Sequence, residues 1–172
     1  MDNITLARNG DKEAFSRLIQ EIKSKLYKTG MAILKNDDDV CDALQETLIN
    51  AYKNIKNLQN PEYFNTWIIR IMINSCYDII RKNERITKIN EKIQPNTDNY
   101  YDIYCEQSDL EKVLNKLDNE LRVVTVLYYY DDFKVKDISQ ILNIPEGTVK
   151  SRLARARKNL INIYKLNEDI SS

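Results

Sequence analysis

Residues 137–160 read DISQILNIPEGTVKSRLARARKNL, and the fold turns on how this stretch is punctuated. Ile138, Ile141 and Leu142 set apolar side chains on one face of a short helix. Asn143, Pro145 and Gly147 then mark a turn. A second helix opens at Thr148 and carries Val149, Leu153, Ala156 and Leu160 at steps of four, three and four, the period of one helix face. Lys150, Arg152, Arg155, Arg157 and Lys158 lie off that stripe, and no Asp or Glu occurs from Gly147 to Asn167. A basic helix that is merely solvated usually has acids at i,i+4. Their absence, in a chain of zero formal net charge, favours a helix-turn-helix whose second helix enters the major groove of DNA.

The rest of the composition narrows the field. A chain of 172 residues allows one domain or two small ones. With 42% apolar residues and only three Gly and three Pro, it can build helical cores with few sharp turns, so the expected class is all-α. No apolar run approaches the roughly 20 residues that span a bilayer, and MDNITLARNGDKEAF has no apolar signal core. Asn3-Ile4-Thr5 matches a glycosylation acceptor, which means nothing without secretion. Cys41, Cys76 and Cys105 are odd in number and far apart, and there is no His. That pattern argues against a disulfide framework or an ordinary zinc site and points to the cytoplasm. No cofactor is expected. With no persuasive nucleophile–base pair, an enzyme is not expected either.

Charge is sorted along the chain. Basic residues dominate 81–92 and 147–165, whereas 94–111 holds Asp98, Asp102, Glu106, Asp109 and Glu111 with no basic residue. Sorted charge steers partners even when the total is zero.

Asp11 is the expected N-cap of a first helix carrying Ala14, Phe15, Leu18, Ile19, Ile22 and Leu26. Gly30 could kink or break it before Leu34. A second helix opens at Asn36-Asp37-Asp38, capped by Asp37 or Asp38, with an apolar face of Val40, Leu44, Leu48, Ala51 and Ile55. Asn60 and Pro61 fit the start of a third, periodic through Phe64, Trp67, Ile68, Ile71, Met72, Cys76, Ile79 and Ile80. Ser108 and Glu111 fit a capping box before Val113, Leu114 and Leu117. Asp118 or Asn119 caps a further helix with Leu121, Val124, Leu127 and Tyr128 inward. The expected organisation is two small helical domains, 1–90 and 108–166, joined by an acidic, protease-accessible linker at 91–107 and followed by a tail at 167–172.

With both halves placed, the chain resembles the extracytoplasmic-function sigma factors of the sigma-70 family. Residues 144–157 follow that family's region 4 pattern I-P-x-G-T-V-K-S-R-L-x-R-A-R, and DALQETLINAYKNI at 42–55 with YFNTWIIRIMINSCYDIIRK at 63–82 follow region 2. The resemblance covers nearly the whole chain. It implies a non-enzymatic, dissociable subunit of bacterial RNA polymerase that selects promoters. It also implies control by an anti-sigma factor, often a membrane-spanning one, with no insertion of this chain into a membrane. Asp42, Gln45, Glu46 and Asn50 would meet the clamp helices of the β′ subunit, and region 4 the β flap. Short acids and amides suit a basic partner surface, although the same face also reads as ordinary solvated helix.

For promoter DNA, the resemblance places Asn74 in a pocket for a flipped −10 base, with Arg70, Arg81 and Lys82 as phosphate contacts. Arg81 and Lys82 read equally as helix-terminal cations. Asn74 lies between apolar neighbours, where a polar group needs a partner. Tyr63, Phe64 and Trp67 could stack on bases, but Phe64 and Trp67 lie on the apolar stripe. In the last helix Thr148, Lys150, Ser151 and Arg155 would face the −35 element, with Arg152, Arg157 and Lys158 on phosphates. The acidic linker reads either as a solvated tether or, by resemblance, as a segment threading the polymerase's RNA path. Asp38-Asp39-Val40-Cys41-Asp42 also spells a DDxxD magnesium motif, but no second copy accompanies it. The competing reading of the whole chain is a helix-turn-helix regulator acting without polymerase.

Overall fold

A computed structural model describes the backbone of residues 2–93 and 109–170 and the side chains of residues 2–86 and 112–163. Residues 91–93 of the expected linker are helical, past the expected boundary at 90; the rest of the linker and the Ser108 cap lie outside the described residues. The described backbone is all helical: α1 (Asn3–Arg8), α2 (Lys12–Leu34), α3 (Asp37–Asn54), α4 (Phe64–Ile93), α5 (Asp109–Asn115), α6 (Asn119–Tyr129), α7 (Val135–Leu142) and α8 (Glu146–Ile170). Single 3-10 turns, Ile55–Asn57 and Pro61–Tyr63, join α3 to α4. Among the described residues no helix is long and apolar enough to cross a membrane.

Side-chain caps set starts in the first half of the chain, whereas α6 begins after Asp118 without a capping hydrogen bond from that side chain. Asp11 Oδ1 accepts from Ala14 N–H at 2.8 Å, as its position before the first apolar stripe requires. Asn36, rather than Asp37 or Asp38, caps α3, its Oδ1 accepting from Asp39 N–H at 2.9 Å. Asp37, Asp38 and Asp39 instead fill the first turn of α3, where carboxylates complement the helix dipole. Asn60 Oδ1 accepts from Glu62 N–H at 3.0 Å and starts the turn that leads into α4. Helix α1, capped by Asp2, is six residues long, too short to show a periodic stripe in the sequence.

Gly30 neither kinks nor breaks α2. A Cβ there would lie 2.6 Å from Met72 Cε and 3.0 Å from Val40 Cγ1, so the glycine lets α2 approach α3 and α4 closely. The stripe on α3 is rotated from its expected position: Val40, Ala43, Thr47, Ala51 and Ile55 are buried, while Leu44 and Leu48 are half-buried. Thr47 is accommodated because its hydroxyl donates to Ala43 O at 2.7 Å and lies 3.3 Å from Ser75 Oγ.

The two halves of the chain share one core. Helix α6 is buried at every residue from Leu121 to Leu127, because α2 packs against one side of it and α7 and α8 against the other. A one-sided stripe would have turned Tyr128 inward; instead Tyr128 is exposed. Helix α4 packs on α2, α3 and α7, which explains why its buried set takes in Ile69 and Ile73 beside Phe64, Ile68, Met72 and Cys76, while Trp67, Ile71, Ile79 and Ile80 of the expected stripe are half-buried. Polar contacts cross the same joint. Arg122 is buried and its Nε donates to Ala32 O in α2; its Nη1 donates to Leu117 O at 2.9 Å and its Nη2 to Asn119 Oδ1 at 3.2 Å. Lys35 Nζ donates to Asn115 O at 3.2 Å.

Gly30→Ala separates two opposing effects. Helix propensity alone would stabilise by about 1 kcal/mol, whereas overpacking against Met72 and Val40 costs about 1–3 kcal/mol. Because Val40 Cγ1 has little freedom to yield, overpacking wins. The thermal midpoint should fall by roughly 2–4 °C per kcal/mol lost. A midpoint that rises would show that the close approach does not constrain α2.

Candidate nucleic-acid interface

Helices α7 and α8 form the expected helix-turn-helix. Asn143 ends α7 in the left-handed region at φ 53°, a conformation Asn tolerates better than most side chains. Ser139 closes the turn: its carbonyl accepts from Ile144 N–H at 3.1 Å and its hydroxyl donates to Ile144 O at 2.6 Å. Pro145 O accepts from Thr148 and Val149 N–H. Helix α8 therefore starts at Glu146, two residues before Thr148. Gly147 is helical and exposed rather than part of the turn.

Val149, Leu153 and Ala156 are buried, so the basic face points outward. Lys150, Ser151, Arg155, Arg157 and Lys158 are exposed and Thr148 is half-exposed. Ser151 Oγ donates to Thr148 O at 2.9 Å, which leaves its oxygen free to accept. Arg152 departs from the expected set. Its guanidinium lies 2.7 Å from Glu120 Oε2 on α6, and its side chain is only 20% exposed. Tyr77 of α4 lies beside this pair; burial first, then the Glu120 charge, raises its phenol above the ordinary value while Arg152 opposes the shift. Arg152 is thus tied to α6 as well as lying beside the basic face.

A second stripe runs along α4. Arg70, Asn74, Arg81 and Lys82 are all exposed. Asn74 needs no buried partner, because it projects outward between the buried pairs Met72–Ile73 and Ser75–Cys76. Arg81 is paired with Asp78 one turn earlier. Tyr63 is exposed, whereas Trp67 is half-buried against the buried Phe64, their ring centroids 6.1 Å apart. Phe64 is therefore core and Tyr63 is the accessible ring.

The third surface is on α3. Asp42, Gln45 and Glu46 are exposed and Asn50 is half-exposed. Asn50 Nδ2 donates to Glu46 Oε1 at 3.2 Å, and Asn54 Nδ2 donates to Asn50 O at 2.9 Å, which orders the face. Ile49, 48% exposed, sits in its middle, and Tyr52 packs edge-on to Phe15 at 5.2 Å beside it. The sequence reading passed over Ile49; the available signal was an apolar residue lying outside the α3 stripe. Among the described residues no cluster of three or more His, Cys, Asp or Glu side chains could hold a metal ion. Cys76 is buried, which pushes its thiol up to about 12.

Comparison with known proteins agrees with this layout. Residues 18–86 match the family model for sigma-70 region 2, and residues 107–160 the model for sigma-70 region 4. The chain is 32% identical over 173 residues to the ECF RNA polymerase sigma factor SigW of Bacillus subtilis, covering 91% of this chain and 92% of that one. The fold is similar to that of the sigma factor RpoE from Bartonella quintana, solved with the anti-sigma factor NepR, at a TM-score of 0.74 and 23% identity over 88% of this chain and 96% of that one. It is also similar to CnrH, solved with the cytosolic domain of CnrY, at a TM-score of 0.70 and 21% identity over 95% of this chain and 96% of that one.

Glu120→Gln removes the charge that holds Arg152. If Arg152 is then free to reach a phosphate, duplex binding tightens and the slope of log K against log salt steepens by up to about 0.9. The fold should change little, because Glu120 is largely exposed and a solvent-screened pair is worth about 0–1 kcal/mol. A salt titration that gives the same slope for both proteins removes Arg152 from the phosphate contacts.

Proposed function

We propose that this chain, which belongs to the extracytoplasmic-function group of the sigma-70 family, directs a bacterial RNA polymerase core to promoters carrying −35 and −10 elements. The observation that carries this reading is the pairing of two surfaces on one chain: the acid-free, outward face of α8 and the ordered acidic–amide face of α3. A regulator acting without polymerase needs the first and has no use for the second. The chain serves as an initiation factor, working in the cytoplasm where its polymerase and template are; the phosphodiester chemistry stays with the core enzyme.

Each surface has a role in this reading. Asp42, Gln45, Glu46 and Asn50 dock on the β′ clamp helices, with Ile49 as an apolar anchor among polar contacts, the arrangement expected of a specific interface. Helix α8 lies in the major groove at −35, where Arg155 can engage guanine O6 and N7 and Lys150 and Ser151 reach base edges or phosphates. Arg157 and Lys158 neutralise phosphates. Asn74 reads a −10 base, with Arg70, Arg81 and Lys82 on the backbone and Tyr63 as a stacking ring. Region 4 also meets the β flap. Residues 1–90 and 108–166 act as the two recognition units and the acidic segment 91–107 connects them. The complexes of RpoE with NepR and of CnrH with CnrY support a further element: an anti-sigma factor, soluble or membrane-anchored, that holds this chain inactive.

Two experiments test the surfaces separately. Gln45→Ala with Glu46→Lys should keep the fold, since exposed substitutions cost within about 0.5 kcal/mol, yet reduce co-purification with core polymerase by tenfold or more, roughly 1.4 kcal/mol. Retention equal to wild type by the folded double variant would remove α3 from the polymerase interface. Arg155→Ala should lower run-off transcription by the equivalent of about 1–3 kcal/mol and flatten discrimination at one −35 position. A uniform loss across a −35 substitution series assigns Arg155 to a phosphate instead.

A further inference from the structure

The joint between the halves closes on a carboxyl group that is only half accommodated. Asp131, between α6 and α7, is 2% exposed. Its Oδ2 accepts from Thr29 Oγ1 of α2 at 3.0 Å, but its Oδ1 is buried with no hydrogen-bond partner. Lys25 of α2 reaches the same loop yet donates to the backbone oxygen of Asp131, at 2.8 Å, rather than to the carboxylate. The Lys25 ammonium also lies 5.7 Å from the Phe133 ring centroid. Lys28 is drawn 5.2 Å from the Tyr130 ring. The charged groups facing Asp131 are thus Lys25 and Lys28 of α2 and its own neighbour Asp132. An ionised carboxylate with an unpartnered buried oxygen costs free energy that the closed arrangement alone must bear.

The closed arrangement also cannot do what the proposed function asks. Elements at −35 and −10 are centred about 25 base pairs apart, about 85 Å of straight duplex at about 3.4 Å per pair. A packed chain of this length has a radius of gyration of about 16 Å. With α6 on α2 and α7 on α4, the outward faces of α4 and α8 are too close together to reach both elements.

We propose that Asp131 is the release point of this packing of α6 and α7 on α2 and α4, the buried group that keeps the joint weak enough to open for promoter binding. The inference rests on the reading of α4 and α8 as contacts for two separated promoter elements. It carries a pH signature of known sign. Burial pushes the Asp131 carboxyl up to about 6, outweighing the Thr29 hydrogen bond and the two lysine charges, which lower it. In the opened, solvated form it returns to the ordinary value of about 3.9. A group raised in the closed form favours closure fully below the open-state value, and this contribution is lost as pH rises through about 6. Between about pH 7.5 and about pH 5 the closed-to-open ratio should therefore rise about tenfold.

The test uses the full chain without polymerase or DNA. Dyes are placed at Glu13→Cys on α2 and Gln140→Cys on α7, both exposed positions, in a background of Cys41→Ser and Cys105→Ser. Single-molecule energy transfer then reports closed and open fractions. The expected result is a mainly closed wild type whose closed fraction grows on acidification. Asp131→Asn, a neutral isostere, should be more closed at neutral pH and insensitive to pH. Lys25→Met, which removes the donor to the Asp131 backbone, should open the joint at every pH. Wild type and Asp131→Asn with identical fractions from pH 5 to 7.5 would overturn Asp131 as the release point. A mainly open free chain, or a closed distance that persists in the complex with core polymerase and promoter DNA, would overturn it as well, since the joint would then not be what opens. Failure of the functional reading shows itself differently, as absence of transcription by wild type with core polymerase while the energy-transfer response of the free chain is unchanged.

Discussion

The arrangement of the whole chain depends on a guanidinium buried at the start of α6. Among the described residues no carboxylate is paired with Arg122, and burial lowers its affinity for the proton. It is tolerated because its donors meet Ala32 O, Leu117 O and Asn119 Oδ1, carbonyls left unsatisfied where α2 and α5 end and a side chain at the head of α6. A buried charge is kept only where such bonds replace water. Those bonds fix where α6 lies along α2. The apolar run Leu121–Leu127 then seals against α2 on one side and α7 and α8 on the other. The nearby Lys35 ammonium responds to this joint as well: its proton affinity is lowered, first by burial and then by the charge of Arg122.

Once α6 is set, the surfaces follow. Burying Val149, Leu153 and Ala156 against α6 and α7 leaves the acid-free side of α8 outward. Burying Val40, Ala43, Thr47 and Ala51 turns Gln45, Glu46 and Ile49 away from the core. The same packing that exposes these faces brings the two recognition units together, so exposure and reach are in conflict within one conformation. Each surface is displayed, yet on the proposed reading their separation is wrong for two elements on one duplex. The marginal accommodation of Asp131 lies at that point of conflict.

Much of this was legible in the residues. Periods of three and four placed the long helices, Asp11 and Asn60 marked starts, and the missing acids between Gly147 and Asn167 singled out the face of α8. Ordered pairs such as Ser151 and Arg155 were on one side by spacing alone. Other features were not legible, for physical reasons. Helix α1 is too short to display a period. Gly30 looked like a flaw in a helix because its meaning lies in Val40 and Met72, on the two helices that follow. The face of α3 was placed about one residue off, since Thr47 reads as polar until Ala43 O and Ser75 accommodate its hydroxyl. Arg152 could not be told from its basic neighbours, because its partner Glu120 is on another helix.

The sequence by itself determined the helical class, the order of the elements, the family and the outward chemistry of each recognition surface. These depend on local periodicity and capping and on side-chain identity, which are properties of short windows of chain. Only the tertiary structure decided that the two halves share a core, that α6 is buried on all sides and that Asp131 is buried with one oxygen unpartnered. Those outcomes come from contacts between residues about 100 positions apart, such as Lys25 and Thr29 with Asp131. No local pattern encodes such a meeting; it exists only once packing has chosen which faces are covered.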